Sequence, residues 1–155
     1  MRVLGIDPGS RITGYGVVDV IDGRIRYVAS GCIRTMTGSI AERLQELYQG
    51  VQSTLAAYSP QQVAVEQIFI ARNPASALKL GQARGVALAA CMSEGVQFHD
   101  YAPRQVKLAV VGTGKASKQQ VQYMVQALLK LPGAPQADAA DALAVAICHV
   151  NTRRL

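Results

Sequence analysis

Cysteine is scarce in this 155-residue chain, and the three present, Cys32, Cys91 and Cys148, are odd in number, widely spaced and set among apolar neighbours. With no C-x-x-C pair, the sequence offers neither a disulfide framework nor a zinc site. Long apolar runs are also missing. The longest, Val86 to Met92 and Ala142 to Cys148, fall far short of the roughly 20 residues that a membrane-spanning helix needs. The start of the chain reads as a buried strand rather than a secretion signal. A soluble, cytoplasmic protein with no membrane partner is expected. Acids are few, ten against sixteen Lys and Arg, for a net charge of +6. That balance favours a polyanionic partner.

What is present suffices for a core. The hydrophobic fraction is 50% against 17% charged, which excludes a disordered chain. The length suits a single domain, residues 1–155, and no linker divides it. From Arg72 to Lys118 seven basic residues (Arg72, Lys79, Arg84, Arg104, Lys107, Lys115, Lys118) meet only two acids, Glu94 and Asp100, so most of the positive excess, +5, lies in one stretch.

Met1 to Asp7 reads as a strand closed by Asp7-Pro8-Gly9-Ser10, whose proline and glycine supply turn dihedrals. Gly14 to Val20 reads as a second strand. Asp22-Gly23, a strong hairpin signal, predicts an antiparallel return over Arg24 to Gly31. Ile40, Leu44, Leu47, Tyr48, Val51 and Leu55 then recur with helical spacing until Ser59-Pro60. Val63 to Phe69 reads as a buried strand, Ala75 to Met92 as a long helix and Val96 to Tyr101 as the last strand. A short helix from Pro103, a loop over Val111 to Ala116, a helix opened by Ser117 with Gln120 in capping-box spacing, and a final helix from Asp138 to about Val150 complete the chain. This order predicts an α/β fold with a mixed five-stranded sheet flanked by helices, similar to the ribonuclease H-like fold.

Six of the ten acids have ordinary settings: Asp22 in a turn, Glu42 and Glu46 on a helix flank, and Asp19, Glu94 and Asp100 near element ends. Asp7 instead ends an apolar strand, Glu66 follows Val63-Ala64-Val65, and Asp138 and Asp141 open an Ala-rich helix. Carboxylates so placed cost several kcal/mol unless paired or bound to a cation. Each alone has a plain role open to it: a turn for Asp7, a solvent-facing strand position for Glu66, a helix cap and a favourable helix dipole for Asp138 and Asp141. Jointly they point elsewhere. If the first and fourth strands are neighbours, Asp7 and Glu66 end side by side, while Asp138 and Asp141, three apart, share one helix face. Four carboxylates at one place repel unless a cation joins them, and a set without His or Cys favours Mg²⁺ or Mn²⁺. A two-metal site for phosphoryl displacement on a nucleic acid backbone fits.

Leu4-Gly5-Ile6-Asp7-Pro8-Gly9-Ser10 with Thr13-Gly14-Tyr15-Gly16, then Val65-Glu66-Gln67, Ala77 to Gly85 (ALKLGQARG) and Gln136 to Ala142 (QADAADA) closely resemble the RuvC family of bacterial Holliday junction resolvases. The resemblance runs from about Arg2 to Val150. It implies a homodimeric, Mg²⁺-dependent endonuclease that cuts four-way junction DNA symmetrically during homologous recombination and repair, with RuvA and RuvB as partners. By the same resemblance Asp7, Glu66, Asp138 and Asp141 hold the metals, Lys107 and Lys118 serve DNA binding and catalysis, and Phe69 contacts the junction centre.

Other features admit two readings. Phe69 either stacks on an exposed base or packs under its loop, beside the basic Arg72. Ala77, Gly81, Gly85 and Ala89 recur every four residues, a small-residue face for a dimer partner or for the helix's own sheet. Gly112-Thr113-Gly114-Lys115 lacks the flanking residues of a P-loop; a loop carrying Lys115 and Lys118 toward phosphates fits better, with a solvated loop as the alternative. Asp7-Pro8-Gly9-Ser10 also resembles the phosphate loop of actin-like ATPases, which need a second domain. His99 and His149 read as core or surface residues, His149 near a helix C-terminus where a cation is mildly favoured.

Overall fold

The computed structural model describes residues 1–36, 38–68 and 73–154. Strands β1 (Arg2–Asp7), β2 (Ile12–Ile21), β3 (Arg24–Arg34), β4 (Gln62–Glu66) and β5 (Gln97–Tyr101) form one sheet in the order β3-β2-β1-β4-β5. The first three are antiparallel neighbours, and β4 and β5 add in parallel beside β1. At the β2–β3 turn Asp22 and Gly23 have φ of 51° and 70°, the left-handed pair that a two-residue hairpin needs. β3 runs on to Arg34, past the expected end at Gly31, because β2 begins at Ile12 and keeps pairing with it.

Helices α1 (Ile40–Tyr58) and α2 (Pro74–Ser93) cover one face of the sheet, and α5 (Ala137–Arg153), backed by α3 (Pro103–Val111) and α4 (Lys118–Leu128), covers the other. Alternation along the strands divides the core accordingly. Leu4, Ile6, Val63 and Val65 pack toward α1 and α2, whereas Val3, Ala64 and Tyr101 pack toward α5. The Ser117–Gln120 capping box opens α4 as its spacing predicts. In α5 the N-cap is Gln136, without a side-chain cap bond, so Asp138 lies inside the first turn rather than capping it. No described helix is long and apolar enough to cross a membrane.

The small-residue face of α2 does not pack on its own sheet. Ala83, Ala87, Ala90 and Cys91 fill that side, while Gly81, Gly85 and Ala89 are exposed. His149 takes the core place that the sequence reading offered it. α5 continues to Arg153, leaving His149 fully buried, and burial pushes its imidazole down to about 4. The neutral ring bridges two elements: its Nδ1 lies 2.8 Å from the Tyr101 hydroxyl and its Nε2 contacts Gln62 Oε1.

α5 lies against bare backbone. A Cβ on Gly5 would sit 1.9 Å from the Ala142 carbonyl oxygen, one on Gly14 would sit 1.9 Å from the Asp138 carbonyl oxygen, and one on Gly16 would meet the Leu143 side chain at 2.6 Å. Glycine within a strand permits such an approach. Gly5→Ala is therefore expected to destabilise the protein by about 3 kcal/mol or more, read by urea denaturation. Gly133→Ala, whose Cβ meets nothing within 4 Å, is expected to stay within about 0.5 kcal/mol of the parent.

Candidate active site

Three elements bring the acids together. β1 and β4 are parallel neighbours with Ile6 opposite Val65, so Asp7 and Glu66 follow side by side. Asp7 also pairs with Gly14 of β2, the glycine against which the Asp138 carbonyl packs. The first turns of α5 thus hang over the end of β1. Carboxylate oxygens of Asp7, Asp138 and Asp141 lie within 4.8 Å of one another, a grouping able to hold a metal ion. The donors are all oxygen, which suits a hard divalent cation.

Glu66 stands beside this trio. With Asp141, Lys107 and Lys118 it lines a cavity of about 200 Å³ walled by Val106 and Val121. Lys118 Nζ lies 3.2 Å from Asp141 Oδ2. Burial, then the charges of Asp141, Asp138 and Glu66, push the Asp7 carboxyl up to about 7, against a smaller pull from Lys118. Glu66 and Asp141 are raised as well, chiefly by burial. Lys107 and Lys118 oppose the rise at Glu66, and the hydrogen bond from Lys118 opposes it at Asp141.

The remaining sequence-derived residues fall elsewhere. Lys115 is exposed on the loop between α3 and α4, outside the cavity. Gly112, at φ 94°, caps the end of α3, and a P-loop would instead follow a strand. Phe69 and Arg72 lie outside the described residues. Arg84, one of the seven basic residues in the positive stretch, is paired with Asp100. Sequence reasoning missed the part played by Gly5, Gly14 and Gly16. Their alternate spacing in strands was the available signal, since it marks one face approached closely by another backbone.

A ribonuclease H-like fold with carboxylates gathered at the end of its central strands defines the class of ribonuclease H-like nucleases. The family described as "Crossover junction endodeoxyribonuclease RuvC" matches residues 3–149. RuvC of Tolumonas auensis is 55% identical over 152 residues, covering 98% of this chain and 88% of that protein. RuvC of Hahella chejuensis is 56% identical over 154 residues, covering 99% and 90%. A solved structure of T. thermophilus RuvC in complex with Holliday junction substrate superposes with a TM-score of 0.93 at 38% identity, covering 99% of this chain and 95% of that one. The chain belongs to the RuvC family of crossover junction endodeoxyribonucleases.

The raised Asp7 carboxyl has a linkage consequence. Its folded value, about 7, exceeds the ordinary 3.8, so the metal-free protein loses stability as pH rises from about 4 through 7. Asp7→Asn removes that loss. Without metal the variant is expected to be more stable than the parent above pH 7, by at most about 4 kcal/mol, with the gain gone by pH 4. Denaturant titrations of both proteins across that range check this. Mg²⁺ is expected to narrow the difference by stabilising the parent.

Proposed function

We propose that this chain, acting as one domain, is a Mg²⁺-dependent endodeoxyribonuclease that resolves four-way DNA junctions by paired symmetric phosphodiester hydrolysis in recombination and repair. The observation that carries the reading is the approach of Asp7, Asp138 and Asp141 to within 4.8 Å in a chain of the RuvC family. In this reading these three and Glu66 hold two divalent ions, with Mn²⁺ able to substitute for Mg²⁺. Held there, such ions would supply Lewis acidity toward the attacking water and the leaving oxygen. The hydrolysis forms a bond from the water oxygen to phosphorus and breaks one phosphorus–oxygen ester bond; the water gives a proton to solvent, and the leaving oxygen takes one from solvent to become a hydroxyl.

The chain's own groups do the rest. β1, β4 and α5 hold the carboxylates in place before substrate arrives. Lys107 and Lys118, on the wall of the same cavity, stabilise charge growing on the phosphate oxygens. Arg72 and Lys115 contact flanking phosphates, and Phe69 stacks on a base at the crossover. These last three roles rest on the sequence alone.

Two symmetric cuts need two sites, which a twofold homodimer supplies. The outward face of α2 suits the contact: Leu78 is 65% and Met92 59% exposed, with Gly81 and Gly85 open between them. RuvA and RuvB are the partners that family membership suggests, and a cytoplasmic location accords with action on DNA. A junction clamp without chemistry is the rival reading. It predicts binding without divalent-dependent cutting of a synthetic four-way junction.

In that assay Asp7→Asn, Glu66→Gln, Asp138→Asn and Asp141→Asn are each expected to slow cutting roughly 1,000-fold or more while junction binding persists. Lys107→Ala and Lys118→Ala are expected to lose activity, whereas Lys130→Ala, outside the cavity, keeps it. Wild-type rates in any acid variant would remove that residue from the site. For the dimer, sedimentation is expected to give twice the chain mass at micromolar concentration. Leu78→Asp is expected to shift it to the monomer and to uncouple the two cuts.

A further inference from the structure

On the opposite side of β1 from β4 and Glu66, where β2 and β3 complete the sheet, an open cavity of about 510 Å³ is lined by Arg11, Thr35, Met36, Gly38 and Arg43. It lies between the β1–β2 loop, the exit of β3 and the first turn of α1. Two guanidiniums line it, and neither forms an ion pair among the described residues. Arg43 Nε is buried and has no hydrogen-bond partner among them. A buried, charged N–H without an acceptor is costly. Glu46, one turn along α1 from Arg43, accepts instead from the Met36 backbone N–H at 2.7 Å.

The loop that carries Arg11 is pinned. Thr35 donates its backbone N–H to the Arg11 carbonyl at 3.0 Å and its hydroxyl to the Ser10 carbonyl at 2.9 Å. Thr13 bridges the same turn, accepting from the Gly9 N–H and donating to the Gly9 carbonyl. Arg11 follows Asp7 by four residues, so their Cα atoms are at most about 14 Å apart even were the chain extended. That span corresponds to about four base steps at 3.4 Å per step along one strand.

We propose that Arg11 and Arg43 form a second anion site that seats one backbone phosphate of the DNA, within about four nucleotides of the scissile position, across the metal centre from Lys107 and Lys118. The site rests on the junction-nuclease reading. Guanidinium donors match phosphate oxygens in pairs, and the two that line this cavity have no ion pair among the described residues. A strand held there and at the lysine cavity is fixed on both sides of the carboxylates.

The test is junction binding with Mg²⁺ in an Asp7→Asn background, which prevents cutting. Arg11→Gln and Arg43→Gln are each expected to weaken binding roughly three- to tenfold. Because they share one phosphate, the double variant is expected to lower the salt slope by only about 0.7 to 0.9. A methylphosphonate scan along the cut strand is expected to find one position that weakens the Arg-intact protein and leaves the double variant unaffected. Should Arg43→Gln melt early, Arg11→Gln on its exposed loop decides with the same scan. Unchanged affinity and slope in that variant, or a scan that affects both proteins alike, overturns the site while leaving the nuclease reading intact. A parent that neither binds nor cuts junctions overturns both.

Discussion

The contact between the backbone of α5 and the glycines of β1 and β2 is the constraint on which the rest of this structure depends. An ordinary helix rides on a layer of side chains, and its position then varies with their packing. Here Gly5, Gly14 and Gly16 remove that layer, so the carbonyls of Asp138 and Ala142 lie directly against the sheet. Because Gly14 pairs with Asp7 in the ladder, one contact sets both the depth of the helix and the separation of its acids from the strand's acid. Alanine serves the same end within α5, where Ala139, Ala140, Ala142, Ala144 and Ala146 are all buried.

That placement works against folding. Burial and mutual repulsion raise Asp7, Glu66 and Asp141 together, so the metal-free site stores unfavourable electrostatic energy that the surrounding core must offset. The offset is visible around α5, whose length carries Leu143, Ile147 and Val150 into the core and ends in the neutral His149 bridge to Tyr101 and Gln62. The two pH dependences oppose each other. Acid relieves the carboxylates, whereas His149, held low by burial, resists the proton that the unfolded chain would take. A divalent cation removes the first problem without touching the second.

Charge on the surface is sorted by pairing rather than by count. Arg2 is held by Asp19 and Arg84 by Asp100, so two of the sixteen basic residues serve the fold. Lys118 is half committed, paired with an acid whose proposed role is to bind metal. Lys107, Arg11 and Arg43 have no ion pair among the described residues, and they flank the carboxylates from two sides. The exposed face of α2 carries Leu78, Gly81, Gly85 and Met92 beside Lys79 and Gln82.

The sequence by itself determined the elements and the acids. Local rules sufficed for the hairpin at Asp22-Gly23, the capping box at Ser117 and the helical stripe from Ile40, since each depends on neighbours a few residues apart. The oddness of Asp7, Glu66, Asp138 and Asp141 was also legible, because charges inside apolar runs conflict with burial wherever the chain goes. Only the tertiary structure decided that three of them meet tightly while Glu66 stands with Lys107 and Lys118, that the α2 stripe faces outward, and that His149 is neutral. Those outcomes depend on which faces touch. Residues as distant along the chain as Gly14 and Asp138 come into contact through strand order and the depth to which α5 settles, and no local pattern carries that depth.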